Sequence, residues 1–204
     1  MNNSEIKQWA KEKIKGNIWT LIVPIVIVSI LTSLTIGGGY THTEDGGYSY
    51  NAGVSIGIFF YFVQVGLAYF MVKFINDQPH ELKDIFAYTK DYLRIFITGI
   101  LKGIFTALFT LLFIIPGIIK GLGYALVELI LADEKYKDLD HMAVLRKSEE
   151  LMKGHKMDYF LLGLSFIGWH ILAIFTLGIL ELWITPYYTT AKFKFLDNIM
   201  KAAN

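Results

Sequence analysis

The sequence of 204 residues contains no cysteine. A chain without cysteine forms no disulfide, builds no thiolate metal site and has no thiol nucleophile. The sequence is also poor in charge, because Asp, Glu, Lys and Arg make up 18% of it, against about 25% in an ordinary globular domain. Hydrophobic residues make up 54% and the mean hydropathy is +0.45. The chain lacks the polar residues that would cover a soluble domain of this length, which indicates a membrane protein.

Sequence motifs of several enzyme classes are missing as well. The chain has no H-E-x-x-H zinc motif, no P-loop, no G-x-S-x-G motif and no dinucleotide fingerprint. We therefore expect no catalytic residues, no metal, no cofactor and no nucleic-acid partner. His42, Glu44 and Asp45 lie on a glycine-rich, acidic segment at 37–51, but three possible ligands on a flexible loop are a weak signal for a metal ion.

Apolar segments long enough to cross a membrane recur along the chain, since about 20 residues of helix cross roughly 30 Å of hydrocarbon. An alternative interpretation of the first segment is a signal peptide, but more long apolar segments follow and no A-x-A-like cleavage site is evident. Two apolar stretches are too long for one span, and we expect turns at Pro116-Gly117 and near Thr176-Leu177-Gly178 to divide them. The prediction is one all-α integral membrane domain with spans at 17–36, 52–75, 94–115, 118–132, 159–175 and 179–196.

The basic residues predict the orientation of these spans. All Lys and Arg residues except Lys102 and Lys120 fall into four clusters: at the N-terminus, after the second span, after the fourth span and in the C-terminal tail. Six spans, arranged as three hairpins, put all four clusters on one side, which is the cytoplasmic side by the positive-inside rule. Five spans, the alternative if one hairpin is a single bent helix, would separate the clusters. Both termini are therefore predicted to be cytoplasmic, and the bias toward Ile, Lys, Asn, Tyr and Phe suggests a bacterial cell membrane.

Each predicted hairpin follows a short amphipathic segment, at 4–15, 82–93 and 139–152. Basic amphipathic helices lie at membrane surfaces, so these segments are expected to form a cytoplasmic collar. The recurrence also suggests three related units in a pseudo-threefold bundle. The collar would bind anionic lipid head groups, and the candidate contacts are Lys11, Lys15, Arg146, Lys147, Lys153 and Lys156.

Ionisable residues inside the predicted spans are candidates for a functional site, because burying a charge in hydrocarbon is costly. Lys102 and Glu128 are expected to meet across the second hairpin, either as part of a site or as a purely structural pair. Lys120 and Glu181 are expected near the outer ends of the fourth and sixth spans, where they would form a second structural pair. His170, midway along the fifth span, is a candidate proton relay, or it bonds a neighbouring helix.

Three stretches of the sequence carry a family resemblance. IIPGIIK at 114–120, the segment from Ser148 to Lys156, and LSFIGWHILAIFTLGILELWITPYY at 164–188 resemble DUF975, a family of uncharacterised bacterial integral membrane proteins. KGNIW at 15–19 fits as well, so the resemblance extends over nearly the whole chain. It implies a multi-pass membrane protein and no particular biochemical activity.

Three classes of function remain open. We expect a membrane scaffold, regulatory or protective (immunity-like) protein that binds lipid, another membrane protein or a second copy of itself. The alternative is a small transporter or channel, which should show polar side chains from several spans converging on one aqueous cavity. A scaffold should instead show a filled apolar bundle with polar residues only near its ends. A membrane enzyme is the least supported class, since no nucleophile–base or metal constellation is present.

Overall fold

A computed structural model of the protein describes residues 2–36, 39–42, 48–51, 54–55, 57–112 and 114–203. In this part of the chain α helices predominate, which confirms the predicted helical class. The helices are α1 (Asn3–Ile14), α2 (Ile18–Ser33), α3 (Tyr61–Ile75), α4 (Tyr92–Leu112), α5 (Ile114–Gly123), α6 (Val127–Leu131), α7 (His141–Leu151), α8 (Lys156–Phe175) and α9 (Glu181–Ala202).

Short strands lie between α2 and α3, in and beside the segment predicted to be a loop. They are β1 (Thr35–Ile36), β2 (Gly39–His42), β3 (Tyr48–Asn51) and β4 (Val54–Ser55). β1 pairs antiparallel with β4, and β2 pairs antiparallel with β3 with Tyr40 opposite Tyr50. Glu44 and Asp45, two of the three residues weighed as metal ligands, lie outside the described residues.

A subset of the helices has the length and apolar character of a membrane span. Among the described residues these are the segments Leu82–Leu111 and Lys156–Phe175. A third is added if α1 and α2, which meet at an angle of 102°, form one broken span. Apolar α3 is shorter, with 15 residues. Two to three helices therefore have what is needed to cross a membrane.

The prediction of a single fourth span at 118–132 is wrong, because the structure divides this segment between two short helices. α5 has 10 residues, about 15 Å of helix, which is half of a hydrocarbon core. α6 has five residues and follows a turn at 124–126. Pro116 and Gly117, where the turn was predicted, lie instead inside α5, which begins at Ile114. Proline is tolerated in a first helical turn, where its missing N–H has no helical acceptor.

The hairpin of α8 and α9 reverses at Thr176-Leu177-Gly178, as the sequence predicts. Leu177 and Gly178 both have positive φ, at 52° and 83°. Glycine adopts this left-handed conformation freely, whereas leucine does so at some cost. Leu177 is nevertheless fully exposed at the tip of the hairpin. An apolar side chain at that position suits a tip that lies in or at a membrane.

The predicted collar is helical in two of its three segments. α1 buries Ile6, Ala10 and Ile14, spaced four residues apart, against the rest of the molecule, where α9 is its main contact. α7 begins at Asp140, whose carboxylate accepts the Ala143 N–H at 2.7 Å, and that hydrogen bond lowers the pKa of Asp140. The middle segment instead forms two 3₁₀ helices, Leu82–Phe86 and Thr89–Asp91, ahead of α4.

Candidate functional site

A half-open cavity of about 380 Å³ lies among the helices and is lined by both polar and apolar side chains. This volume falls within the range of small-molecule sites, roughly 300–1,000 Å³. The lining residues come from α2, α3, α6, α8 and α9. The polar ones are Ser29, Thr32, Gln64, Glu128, His170, Glu181, Thr185, Tyr188, Thr189 and Lys192.

One face of α9 supplies half of this polar lining. Its members are Glu181, Thr185, Tyr188, Thr189 and Lys192. Their spacing of three or four residues puts them on one side of the helix. Other positions on α9 are apolar and buried, including Ile184, Ala191 and Leu196. The polar face extends from Glu181 to Lys192, which is about 16 Å at 1.5 Å per residue.

Glu128 is bound by two donors. Lys102 Nζ of α4 lies 2.6 Å from Glu128 Oε1, so the pair predicted from the sequence is present. The Tyr61 hydroxyl of α3 donates to the same oxygen at 2.9 Å. The Glu128 side chain is 15% exposed and that of Lys102 is 25% exposed. This cluster joins α3, α4 and α6 at one side of the cavity.

His170 and Glu181 form a second cluster, between α8 and α9. His170 Nδ1 lies 3.0 Å from one Glu181 oxygen and 3.2 Å from the other. The Thr185 hydroxyl donates to Glu181 Oε1 at 3.1 Å. His170 thus bonds a neighbouring helix, which was one of the two alternatives predicted for it. Both partners lie near the tip of the hairpin.

The predicted pair of Lys120 with Glu181 is wrong. Lys120 Nζ lies 2.6 Å from Glu149 Oε1 of α7, while Glu181 is engaged by His170. The cause is the short α5, which ends at Gly123 and is covered there by α7. Ser148 of α7 is fully buried at this point. Its hydroxyl donates to the Gly123 carbonyl at 2.7 Å and accepts the Leu126 N–H at 3.2 Å.

The six candidate lipid contacts fall into two groups. Lys147 is bound to Glu150 at 3.2 Å, and the ammonium of Lys156 lies beside Gly123. The other four are exposed: Lys11, Lys15, Arg146 and Lys153. Across the described residues, no three or more His, Asp or Glu side chains are grouped so that they would hold a metal ion.

Several cavity residues were missed at the sequence level. Gln64 and Lys192 are both in the cavity lining, as are the threonines of α9. A signal for the α9 residues was present, because polar positions spaced by three or four residues within an apolar segment mark one helix face. Gln64 and Tyr61 have no such signal, since each is a single polar group in an apolar stretch.

Comparison with known proteins gives a family match. Residues 111–203 match the family model DUF975, described as a protein of unknown function. This finding confirms the resemblance over residues 111–203, whereas KGNIW at 15–19 lies outside the matched segment. The matched segment contains Glu128, His170 and the polar face of α9, whereas Lys102 and Tyr61 precede it. No curated protein and no solved structure matches the chain.

Proposed function

We propose that this chain is a multi-pass membrane protein that binds a small polar or charged solute in the cavity along α9, as a small transporter or channel does. The observation that carries the proposal is the convergence of polar side chains from five helices on one cavity. A scaffold would be filled by apolar packing at this place. Polar groups inside a membrane are costly and usually serve a solute path.

The membrane setting rests on the apolar exterior of the helices. Large side chains are almost fully exposed at the tip of the α8–α9 hairpin, where Ile174, Phe175 and Leu177 are 74%, 81% and 94% exposed. Leu111 and Ile115 are similarly exposed at the turn between α4 and α5. Apolar patches of this kind are rare on soluble monomers. We further propose six membrane-inserted segments in a bacterial cell membrane, the fourth of them broken into α5 and α6. Both termini are cytoplasmic in this proposal, on the strength of the four basic clusters.

The pairing of the acidic groups fits residence in a membrane interior. Glu128 is bound by Lys102 and Tyr61, and Glu181 by His170 and Thr185. A paired carboxylate costs much less to bury than an isolated one. The cavity therefore offers hydroxyl, amide and ring groups to a solute, while its carboxylates are already bound.

Substituted-cysteine accessibility tests this proposal directly, because the natural chain has no cysteine. Thr185→Cys and Thr189→Cys place a thiol in the cavity lining. Both are expected to react with a small charged thiol reagent in proteoliposomes, since only a water-filled cavity admits such a reagent. Ile184→Cys is the matched control, because Ile184 is on the same helix and fully buried. Equal protection of all three thiols would mean that the cavity is not aqueous and would overturn the proposal.

A second candidate function is a membrane scaffold, regulatory or protective protein that binds anionic lipid or another membrane protein. The observation that favours it is the exposure of Lys11, Lys15, Arg146 and Lys153. Clusters of basic residues at a cytoplasmic membrane surface attract anionic lipids. Under this candidate, native mass spectrometry of the Arg146→Gln, Lys153→Gln double variant would show less bound anionic lipid than the wild type. Unchanged lipid binding in that variant would exclude a collar-bound role.

A further inference from the structure

Lys192 is a charged residue of the cavity lining that takes part in none of the ion pairs described above. It lies on α9, half-buried, and lines the cavity together with Glu128. Glu128 already binds Lys102 at 2.6 Å. Glu181 lies eleven residues away along α9 and is bound by His170. In the described part of the chain, no carboxylate lies within 4.0 Å of the Lys192 ammonium, which is 5.6 Å from the Phe193 ring and attracts Glu128 only at longer range.

The lining of this cavity is partly apolar and includes Ile25, Val28, Leu67 and Phe193. Near such a wall an ammonium attracts an anion more strongly than it does in bulk water. Two lysines, Lys102 and Lys192, flank a single carboxylate at this end of the cavity. The local charge is therefore positive, and an anion bound there would neutralise it.

Hydrogen-bond donors for an anion line the same cavity as Lys192. They are the hydroxyls of Tyr188 and Thr189 and the amide of Gln64. Carboxylate and phosphate oxygens are the usual partners of such groups together with an ammonium. We infer that the end of the cavity formed by Lys192, Thr189 and Gln64 binds an oxyanion group, a carboxylate or a phosphate, with Lys192 as its counter-charge. This inference rests on the proposed solute site and names the chemistry of its ligand.

The oxyanion has two possible sources, a free solute or the head group of an anionic lipid, and the probes separate them. Protein in uncharged detergent is titrated with inorganic phosphate and with acetate by calorimetry. Protein in nanodiscs of neutral lipid with a small fraction of phosphatidylglycerol is analysed for retained lipid by native mass spectrometry. Each measurement compares the wild type with Lys192→Gln, Lys192→Arg and Lys153→Gln.

The wild type is expected to bind a free anion or to retain phosphatidylglycerol. Lys192→Gln weakens that binding by about tenfold or more, as loss of a charge-assisted hydrogen bond implies. Lys192→Arg keeps most of the affinity because it keeps the charge. Lys153→Gln removes an exposed collar lysine and leaves the affinity unchanged. Lys192→Gln is expected to fold, since removing a cation without a carboxylate partner leaves no carboxylate unpaired.

The inference is overturned if the wild type binds none of phosphate, acetate and phosphatidylglycerol, or if Lys192→Gln binds each of them as well as the wild type does. Its failure is distinguishable from failure of the proposed function. Reactive thiols at positions 185 and 189 with no effect of Lys192→Gln would leave an aqueous solute cavity that takes a different ligand. Protected thiols at both positions would remove the solute cavity itself.

Discussion

At the scale of single residues, the Glu128 carboxylate is the best-defined polar centre of the molecule. Two side chains from two other helices bind the same oxygen, Lys102 at 2.6 Å and Tyr61 at 2.9 Å. Both charged partners are largely buried. Replacing one partner of such a pair leaves the other charge buried without compensation. Replacing both partners removes the ion pair but leaves no uncompensated charge.

Lys102→Met is therefore expected to lower the free energy of unfolding by roughly 2–4 kcal/mol, because Glu128 stays charged and partly buried. The double variant Lys102→Met, Glu128→Gln should lose clearly less than the single variant, since Tyr61 can still donate to the amide oxygen. Unfolding in mixed detergent micelles measures both values, and the four-member cycle isolates the coupling. Additive effects of the two substitutions would mean that the pair contributes nothing beyond its separate groups.

At the scale of elements, α3 and the 3₁₀ helix Leu82–Phe86 approach each other closely. Gly66 of α3 faces the backbone carbonyl of Ile85, and a Cβ at position 66 would overlap that carbonyl. The same loop is held by Lys73 and Asp84, whose charged atoms are 2.9 Å apart. Backbone contact of this kind requires glycine, because backbone atoms cannot move aside as a flexible side chain can.

Gly66→Ala is expected to destabilise the protein by about 1–3 kcal/mol, the usual cost of overpacking. Gly103→Ala is the matched control, because a Cβ on Gly103 of α4 meets nothing within 4 Å. There, alanine should be neutral or stabilising by up to about 1 kcal/mol, since it favours the helix. Thermal unfolding of the two variants in the same detergent compares them. Equal stability of the two variants would contradict the close approach of α3 to Ile85.

In the molecule as a whole, α8 connects the collar to the apolar tip of the last hairpin. The helix has 20 residues, about 30 Å, which matches the hydrocarbon core of a membrane. Lys153 precedes its first turn, and Leu177 follows its last. If α8 crosses the membrane, these two positions lie on opposite sides of it.

Lys153→Cys and Leu177→Cys test this arrangement in the cysteine-free chain. A membrane-impermeant thiol reagent applied to intact cells is expected to label Leu177→Cys and to leave Lys153→Cys unlabelled. Inverted membrane vesicles should give the opposite result. The wild-type chain serves as the blank. Labelling of both thiols from the same side would show that the α8–α9 hairpin does not cross the membrane.

Much of the helical layout follows from the sequence. Apolar length predicted the helical class and long apolar helices at α4 and α8. The turn at Thr176-Leu177-Gly178 was predicted correctly because few residues other than glycine favour positive φ. The approach of Lys102 to Glu128 was also predicted, although Glu128 lies on α6 and not on the arm that follows α4 directly. These features depend on local composition and on short-range geometry along the chain.

Other features depend on contacts between distant segments of the chain. Such contacts are determined by tertiary packing and cannot be predicted from local sequence. The hydropathy pattern does not predict that α5 ends at Gly123, because the end of this helix depends on its contacts with Ser148 and Glu149 of α7. For the same reason the partner of Lys120 was assigned wrongly. Lys192 was counted with the tail, although packing turns the polar face of α9 toward the cavity. A sequence records which side chains share one face of a helix, but only the packing of the other helices determines what that face meets.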